Sequence, residues 1–417
     1  MDRDILETLF HTAVAAAQPA LAIAANLPPR PAGRTIVIGA GKASAQMARA
    51  FEEAWEGPID GLVVTRYGYA TPCERIEIVE AAHPVPDAAG FLAARRLMER
   101  VSGLSHEDLV VALISGGGSA LLAAPGPGMA LEDEQALNQA LLASGAPIGV
   151  MNAIRNQLSG IKGGRLAAMA LPARVATLVV SDVPGDDPAL VASGPTVPMA
   201  ASRPEARKLV ALYGIKLPPA AAALLDSETN PAPLPSDPRL MHNTVKVIAS
   251  AAISLEAAAR RAPEFGLSAS ILSDAIEGES RDVAQVHAAL AREIKTRNRP
   301  FTKPALLLSG GETTVTLKGK GRGGRNAEFL LAFALAIDGI EGITALAADT
   351  DGIDGTENNA GALADGTTVR RLRAAGIDPR AALANNDAWS AFHAIGDLLI
   401  TGPTGTNVND FRAIIVR

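Results

Sequence analysis

The chain contains 417 residues, of which 48% are apolar, 20% are charged and only 3% are aromatic. This length exceeds what one hydrophobic core usually organises, so we predict two globular domains with aliphatic cores. The formal net charge of −6 argues against bulk nucleic-acid binding, which needs a basic surface. The single cysteine, Cys73, excludes an internal disulfide and a metal site built from several cysteines.

The N-terminal segment resembles neither a secretory signal nor a membrane anchor. Its first residues are acidic where a signal would be basic. The apolar stretch at residues 13–27 is interrupted by Gln18 and Pro19 and is too short to span a bilayer. We expect a cytoplasmic protein in which this stretch is helical and packs on a domain.

Apolar runs alternate with helical stretches through the first half of the chain. These runs lie at residues 34–41, 61–65, 75–82, 108–122 and 174–187. The alternation predicts a Rossmann-like, doubly wound parallel sheet. A Pro- and Ala-rich stretch at residues 216–240 lacks the periodicity, so we predict a boundary near residue 235, with domains at 1–235 and 236–417.

A second set of apolar runs follows this boundary. They lie at residues 244–250, 267–274, 304–317, 342–352, 397–402 and 411–416. One of them, PALLLSGGETTVTL, leads into the glycine-rich loop GKGRGG, which favours a mixed rather than a purely parallel arrangement. The second half is therefore predicted to be an α/β domain with a mixed sheet.

The stretch VIGAGKAS, residues 37–44, is a poor match to a nicotinamide-binding loop. A dinucleotide loop needs a third glycine where this chain has Ser44. It also needs an acidic residue at the end of the second strand, which here carries Thr65 and Arg66. An NADP-binding protein could tolerate Arg66, but the loop itself argues against a reductase.

The same stretch also fails as a P-loop. Ile36 occupies the position of the first glycine, and Ala43 replaces the Ser or Thr that binds magnesium. What remains is a glycine loop at a helix start, where backbone N–H groups and the charge of Lys42 favour an anion. A surface lysine on a first helical turn is the alternative.

The stretch LISGGGSALL, residues 113–122, predicts a second anion cradle, although a flexible turn is the alternative. Its serine hydroxyls can donate hydrogen bonds to phosphate or carboxylate oxygens. A serine hydrolase is not indicated, because G-x-S-x-G is absent around Ser119. The predicted ligand contacts are Ser115, Gly116, Gly117, Gly118 and Ser119.

Two further stretches of the first half carry charged side chains beside glycines or strand ends. Lys162 and Arg165, in NQLSGIKGGRLA, could clamp an anionic substrate or belong to a turn between helices. Asp182, in SDVPGDD, follows an apolar strand, at the edge where open α/β sheets place ligands. It could orient an attacking hydroxyl, act as a base, bind Mg²⁺ through water, or serve as a turn residue.

The second half has a basic glycine loop and an acidic loop. In GKGRGGRNAEF, Arg325 suits phosphoryl oxygens and Asn326 can cap the following helix, with a solvated basic loop as the alternative. In AADTDGIDG, Asp349, Asp351 and Asp354 crowd together. Hard carboxylates near phosphate loops suit Mg²⁺, although a solvated acidic turn has the same composition.

Two candidates remain. The stretch TGPTGTNVND, residues 401–410, is polar and could line a cleft with Asn407 and Asp410. The six histidines show no metal-ligand spacing, and His83 is expected to have a structural or hydrogen-bonding role.

In order along the chain, GAGKAS, LISGGGSALL, NQLSGIKGGRLA, SDVPGDDPALVASGPTVP, LLSGGETTVTLKGKGRGGRNAEF, ADTDGIDG and TGPTGTNVND resemble the class II glycerate kinases, also called glycerate 2-kinases. The second half is similar to their MOFRL domain. The resemblance implies ATP-dependent phosphorylation of D-glycerate to 2-phosphoglycerate with Mg²⁺, and an active site in the cleft between two α/β domains.

By matching position, the resemblance assigns the essential lysine to Lys42 and the essential arginine to Arg325. Asp182 is the third catalytic candidate, and Asp349 and Asp351 are the metal candidates. Substrate contacts are predicted for Ser44, Ser115, Gly116, Gly117, Gly118, Ser119, Lys162 and Arg165. Nucleotide contacts are predicted for Gly310, Gly311, Glu312, Gly324, Asn326, Asn407 and Asp410.

The partners implied are D-glycerate and ATP, without nucleic acid or membrane, in a monomer or homodimer. Two other functions stay open. One is an NAD(P)H-dependent hydroxypyruvate reductase, a name often given to relatives of this family. The other is a non-catalytic protein that binds a hydroxy acid or nucleotide.

Overall fold

A computed structural model describes residues 1–417 and divides them into two compact units. The first, the parallel-sheet unit, comprises Pro19–Ile248. The second, the mixed-sheet unit, combines Met1–Gln18 with Ala249–Arg417. The chain therefore begins in the mixed-sheet unit, continues through the parallel-sheet unit and ends in the mixed-sheet unit.

The parallel-sheet unit is built on a six-stranded sheet in the order β3-β2-β1-β4-β5-β6. Its strands are β1 (Thr35–Ala40), β2 (Ile59–Arg66), β3 (Ile76–Ala81), β4 (Leu109–Ser115), β5 (Arg174–Val180) and β6 (Thr244–Ala249). The first five strands pair in parallel, and β1 and β4 are buried along their whole length. The continuous apolar runs in the sequence reflect this burial on both faces.

The helices of this unit lie in two groups, one packed on the sheet and one packed mainly on itself. They are α2 (Pro19–Ala24), α3 (Ser44–Ala54), α4 (Ala88–Val101), α5 (Gly118–Leu121), α6 (Leu131–Ala143), α7 (Ile148–Gln157), α8 (Arg165–Met169), α9 (Arg203–Leu212) and α10 (Pro219–Asp226). The chain leaves β1 for α3 and β4 for α5, and β1 and β4 are neighbours. Strand order reverses between them, and in such sheets ligands bind beyond the carboxyl ends of the strands at this reversal.

The mixed-sheet unit is built on a six-stranded sheet in the order β13-β12-β11-β14-β9-β7, with β8 and β10 paired separately. Its strands are β7 (Ser268–Ser273), β8 (Gly278–Glu279), β9 (Ala305–Ser309), β10 (Thr313–Thr314), β11 (Ile343–Asp349), β12 (Gly361–Asp365), β13 (Leu398–Leu399) and β14 (Asp410–Val416). Only β7 and β9 run parallel in the six-stranded sheet.

The helices of this unit pack on both faces of its sheet in separate apolar clusters. They are α1 (Asp2–Ala16), α11 (Ala251–Arg261), α12 (Ser280–Arg297), α13 (Arg325–Ala336), α14 (Thr368–Ala374), α15 (Pro379–Ala384) and α16 (Ala388–Ala394). Helix α1 buries Leu6, Leu9 and Phe10, and the ring of Phe10 lies edge-on to Phe411 at 5.8 Å. This apolar face ties the N-terminal residues to the C-terminal part of the chain.

These sheets confirm the predicted α/β class, with a parallel sheet in the first half and a mixed sheet in the second. Two details differ from the prediction. The run at 244–250 forms β6 at the edge of the parallel sheet, because its partner is β5 and not a strand of the second set. The compact units accordingly divide at 248 and 249, after the boundary predicted at residue 235, and the first 18 residues join the second unit.

No helix of the protein has both the length and the apolar composition needed to cross a bilayer.

Candidate active site

The loop after β1 uses its backbone N–H groups within the protein. Lys42 N donates to Gly116 O at 2.8 Å, and Ala43 N donates to Ser115 Oγ at 3.0 Å. Ser44 N donates within its own turn at 3.3 Å. The amides of residues 42–44 are therefore used within the protein and are not free donors for the anion cradle predicted at this loop.

The side chain of Lys42 leaves this loop and crosses the glycine loop after β4. Its Cγ lies 3.0 Å from the position that a Cβ at residue 117 would take. Lys42 is partly buried, and its ammonium forms no ion pair within the protein. A partly buried cation without a counter-ion is costly, so this environment favours a bound anion.

The three glycines after β4 are packed so closely that larger residues would not fit. A Cβ at Gly116 would lie 1.7 Å from Oδ2 of Asp182, and one at Gly118 would lie 2.6 Å from the Cβ of Ala192. Gly117 has φ +80°, which an L side chain rarely adopts. The sequence GGG therefore lets this loop lie directly against Asp182.

Unlike the first loop, this one keeps free donors. The N–H groups of Gly117, Gly118 and Ser119 donate no hydrogen bond to the protein. Together with Lys42 they form what we call the anion seat: one ammonium and the backbone donors of residues 117–119, at the reversal of strand order. Free amides beside an uncompensated cation are suited to a carboxylate or phosphate.

His83 borders the anion seat. Its Nε2 lies 3.2 Å from the position that a Cβ at Gly117 would take. Burial, followed by repulsion from Lys42 and Arg66, lowers the pKa of His83 to about 4. The imidazole is therefore neutral near pH 7 and offers a hydrogen bond without adding charge.

Two of the predicted substrate contacts have a different role in the structure. Ser44 and Ser115 are buried, and their hydroxyl oxygens lie 3.1 Å apart. They join the loop after β1 to the strand end of β4, which holds Lys42 against the glycine loop. Both hydroxyls are therefore used within the protein. Ser119, by contrast, is partly exposed and bonds to Ser193 at 2.7 Å.

The predicted anion clamp at residues 156–167 also has a different role. The fully buried Lys162 donates from Nζ to Glu134 Oε1 at 2.7 Å. Burial lowers the pKa of Lys162, against the attraction of Glu134. Arg165 is buried and donates to the carbonyl oxygens of Lys162 at 3.1 Å and Asn230 at 2.9 Å. Both cations are committed to protein acceptors, so the alternative prediction of a structural turn fits better.

In the mixed-sheet unit, Arg325 is the first residue of α13 and is surrounded by carboxylates. Its Nε donates to Asp410 Oδ1 at 2.7 Å, its Nη2 pairs with Asp349, and Glu312 lies 3.7 Å away. Burial acts to lower the pKa of Arg325, but attraction to Asp410 and Asp349 outweighs it and raises the pKa. We call Asp349, Asp410 and Glu312 the carboxylate cluster.

The start of α13 is capped by a residue distant in sequence. The buried Asp354 accepts from Asn326 N at 2.9 Å and from Ala327 N at 2.8 Å. Burial raises the pKa of Asp354 to about 6, against these two donors. Asn326 was predicted to be the cap, but it lies inside the helix and its Nδ2 donates to Asp410 Oδ1 at 2.8 Å. Gly324 is needed because a Cβ there would lie 2.3 Å from the Asp354 carboxylate.

A second buried arginine, which is not among the predicted site residues, completes this network. Arg412 pairs with Asp410 and donates to Gly310 O and to Thr313 Oγ1, both at 3.1 Å. Burial lowers its pKa. The available signal was an arginine within the apolar strand FRAIIV, where a charge needs a buried partner.

The other residues predicted to contact a nucleotide differ in accessibility. Gly311 has φ +104°, and its carbonyl accepts from Asp410 N at 3.1 Å. Glu312 is 57% exposed, and Asn407 is partly exposed and accepts from Asn409 N at 3.0 Å. Glu312 and Asn407 are therefore accessible to a ligand, whereas Asp410 is buried beneath Arg325.

The charge balance of the carboxylate cluster fits a cation. Two of its members, Asp349 and Asp410, are buried with the capping residue Asp354 beside two arginines, Arg325 and Arg412. No group of three or more His, Cys, Asp or Glu side chains is arranged as a complete metal site. Mg²⁺ bound to a nucleotide takes one or two carboxylates and completes its shell with phosphates and water, a number that Asp349 and Asp351 can supply. Burial raises the pKa of Asp349 well above its usual value, which a bound cation would reverse.

Two family descriptions match the chain. Residues 5–226 match a domain of unknown function, DUF4147, and residues 305–410 match the MOFRL family. The parallel-sheet unit holds most of the first match and the mixed-sheet unit holds the second.

Similar proteins carry two different names. A D-glycerate 2-kinase of Thermotoga maritima is 41% identical over 96% of this chain and 95% of its own length. An Agrobacterium vitis protein, provisionally named hydroxypyruvate reductase, is 52% identical over 99% of this chain and 94% of its own. The crystal structure of a glycerate kinase from Thermotoga maritima superimposes with a TM-score of 0.91 at 39% identity, covering 99% of both chains. The chain belongs to the glycerate kinase family with a C-terminal MOFRL domain.

Proposed function

We propose that the protein transfers the γ-phosphoryl group of ATP to the 2-hydroxyl of D-glycerate, giving ADP and 2-phosphoglycerate. The observation that carries the proposal is the anion seat, in which the aliphatic chain of Lys42 lies against Gly117, its ammonium forms no ion pair, and free backbone donors are adjacent at the reversal of strand order. The similarity to named glycerate kinases over nearly the whole chain supports it.

The anion seat is assigned to the glycerate carboxylate. A carboxylate there would accept from the backbone at residues 117–119 and pair with Lys42, while His83 stays neutral and leaves the seat's charge unchanged. Asp182 lies against Gly116 in the same loop. A hydroxyl one carbon from the seated carboxylate would be near this side chain, which would orient or deprotonate it for attack.

The carboxylate cluster is assigned to the nucleotide. Asp349 of this cluster, with the nearby Asp351, would hold Mg²⁺, which when bound to ATP offsets phosphate charge and helps align the γ-phosphoryl group. Arg325 would face that group, held in place by Asp349 and Asp410. Glu312 and Asn407 are accessible to the remainder of the nucleotide.

Three statements stay predictions: that the two groups of residues face one cleft, that the protein is a monomer or homodimer, and that it is cytoplasmic.

A reductase is disfavoured by the residues themselves. The backbone donors of residues 42–44, which a dinucleotide loop would offer to pyrophosphate, are bonded within the protein. Strand β2 ends on Thr65 and Arg66, so no carboxylate is present to bind the ribose. The relatives named as reductases share this family, so their name alone does not separate the two activities.

One assay pair tests the proposal. The purified protein with ATP, Mg²⁺ and D-glycerate should release ADP, and phosphorus-coupled carbon spectra of the product should show the phosphate on C2. The same preparation with hydroxypyruvate and NADH or NADPH should leave nicotinamide absorbance unchanged. Oxidation of the nicotinamide without ADP release would establish the reductase, and phosphate on C3 would overturn the assigned acceptor. Ligand binding without either turnover would favour a non-catalytic binding protein.

A further inference from the structure

A chain of buried hydrogen bonds ends at Ser119, the exposed end of the anion seat. Ser119 Oγ lies 2.7 Å from Ser193 Oγ, and Ser193 Oγ donates to Asn152 Oδ1 at 3.0 Å. Arg155 donates to the same Asn152 oxygen. Asn152 and Ser193 are almost completely buried, whereas Ser119 is partly exposed.

The orientation of the Asn152 amide sets the direction of this chain. Its Nδ2 donates to Leu190 O at 3.2 Å, and its Oδ1 receives the Arg155 guanidinium. Rotating the amide by a half turn would place NH₂ against the guanidinium and oxygen against a carbonyl, so only one orientation satisfies both neighbours. Because a carbonyl oxygen can only accept, Ser193 must donate its single hydroxyl hydrogen to Asn152 Oδ1.

Ser193 is held in place by a turn that few residues would adopt. Ala192 and Ser193 have φ of +53° and +59°, a left-handed conformation that is unfavourable for residues other than glycine. The N–H groups of Gly163 and Gly164 donate to the carbonyls of Ser193 at 3.1 Å and Gly194 at 2.8 Å. The motif NQLSGIKGGRLA thus supports the turn that positions the Ser193 hydroxyl.

The consequence concerns the proton of Ser119. Because the Ser193 hydrogen points to Asn152, the 2.7 Å contact requires Ser119 to donate to Ser193. Ser119 then has no hydrogen left for a ligand and presents only lone pairs. This reverses the role expected from the sequence, in which Ser119 donates to a phosphate or carboxylate oxygen. Lone pairs repel an oxyanion and accept from a neutral donor.

We propose that Ser119 accepts a hydrogen bond from the 3-hydroxyl of D-glycerate and so makes the site select a hydroxy acid with a second, non-reacting hydroxyl. The inference rests on the proposed function. D-glycerate has two hydroxyl donors, and the reacting one at C2 is assigned to Asp182. The C3 hydroxyl is the neutral donor that remains. Ser193 and Asn152 are positioning residues that act through Ser119.

The test compares D-glycerate with D-lactate, which has the carboxylate and the 2-hydroxyl but no 3-hydroxyl. The wild-type protein and Ser119→Ala are titrated with each acid, and KM for D-glycerate and the inhibition constant for D-lactate are measured alongside. Ser119→Ala should weaken the affinity for D-glycerate about tenfold, as expected for the loss of one hydrogen bond. Its affinity for D-lactate should be nearly unchanged. An equal loss for both acids, or no loss for D-glycerate, would overturn the inference.

A second pair of variants separates the positioning role from folding. Ser193→Gly removes the hydroxyl and also relieves the left-handed backbone, which offsets the lost hydrogen bonds, so its melting temperature should stay close to that of the wild type. It frees the Ser119 hydrogen and should lower the preference for D-glycerate over D-lactate about threefold. Ala192→Gly relieves the same turn and should keep the wild-type preference. A wild-type preference in Ser193→Gly, or an equal decrease in both variants, would contradict the ordered chain.

Failure of the inference is distinguishable from failure of the proposed function. If the wild-type protein phosphorylates D-glycerate at C2 while Ser119→Ala keeps the wild-type preference for D-glycerate over D-lactate, only the role of Ser119 is wrong. If the wild-type protein neither binds nor phosphorylates D-glycerate, the proposed function fails first, and the inference falls with it.

Discussion

The two cations predicted to act on phosphate, Lys42 and Arg325, occupy opposite electrostatic environments. Lys42 is partly buried and has no carboxylate partner, and its neighbours are glycine amides and a neutral imidazole. Arg325 contacts Asp349 and Asp410 directly and lies 3.7 Å from Glu312. Lys42 thus forms no ion pair, although the Asp182 carboxylate lies against the same glycine loop, whereas Arg325 is ion-paired with two buried carboxylates.

This difference indicates which ligand each place suits. An uncompensated ammonium beside free backbone donors is completed by an anion, whereas a cluster with more carboxylates than arginines is completed by a cation. It also changes what each side chain does for stability. Lys42 has no intramolecular partner to lose, but Arg325 compensates buried carboxylates, so its removal would affect folding as well as catalysis.

The largest effect is expected from Lys42→Met. The substitution keeps the aliphatic stem over the glycine loop and removes the charge, so kcat/KM for D-glycerate should fall on the order of a thousandfold. Coupled ADP release measures the loss, and the melting temperature should stay within a few degrees of the wild type. Lys42→Arg, which keeps the charge, should recover part of the activity. Near-normal turnover in Lys42→Met would show that the charge of Lys42 in the anion seat is not needed for catalysis.

Arg325→Ala should lose stability together with activity. It leaves Asp349 and Asp410 buried without this partner, for which we expect a loss of about 3–5 kcal/mol in the free energy of unfolding. Urea unfolding followed by circular dichroism measures it. The control is Arg322→Ala, which removes an exposed arginine three residues earlier and should cost less than about 1 kcal/mol. Equal stability of the two variants would show that the carboxylate cluster does not depend on Arg325.

Gly116→Ala should disturb the anion seat without altering any charge. The new methyl group overlaps the Asp182 carboxylate, so this side chain must move, and kcat/KM should fall about a hundredfold. Gly149→Ala is the matched control, because Gly149 lies in α7 with open space around it. A Gly116→Ala protein with wild-type kinetics would mean that the position of Asp182 is unimportant.

The smallest effect is a pH dependence of stability in the mixed-sheet unit. His287 donates from Nδ1 to Val283 O and accepts from Ser309 at Nε2, and burial lowers its pKa from 6.5 to about 4. The imidazole of His287 binds a proton below about pH 6.5 in the unfolded chain but only below about pH 4 in the folded chain. Stability from this group is therefore complete above pH 6.5, and about 2 kcal/mol should be lost by pH 5.

The variant His287→Gln tests this assignment, because it can hydrogen-bond without titrating. Its free energy of unfolding should change less between pH 7 and pH 5 than that of the wild type. The same pH dependence in both proteins would assign the effect to other groups.

Much of this comparison was predictable from sequence because the relevant residues are contiguous. Lys42 follows its glycine directly, GGG follows a buried strand, and Arg325 follows GRGG. A strand end and a helix start are local events, so they place Lys42 and the three glycines at one edge of the parallel sheet and Arg325 at the start of α13. The alternation of apolar runs likewise predicted both sheets.

The partners of these residues were not predictable, because they come from distant parts of the chain. Ser44 bonds to Ser115, and the cap of α13 is Asp354 rather than the adjacent Asn326. Lys162 pairs with Glu134, so its ammonium is already bound within the protein. A sequence pattern shows that a charge is present, but only tertiary packing decides whether it is already compensated.

The most direct test of the contrast between the two cations is a calorimetric titration of D-glycerate, without nucleotide, into Lys42→Met and into the charge-conserving Arg325→Lys. If the anion seat holds the glycerate carboxylate, affinity for D-glycerate is lost in Lys42→Met and stays near the wild-type value in Arg325→Lys. The opposite pattern, with D-glycerate binding intact in Lys42→Met and lost in Arg325→Lys, would contradict the account.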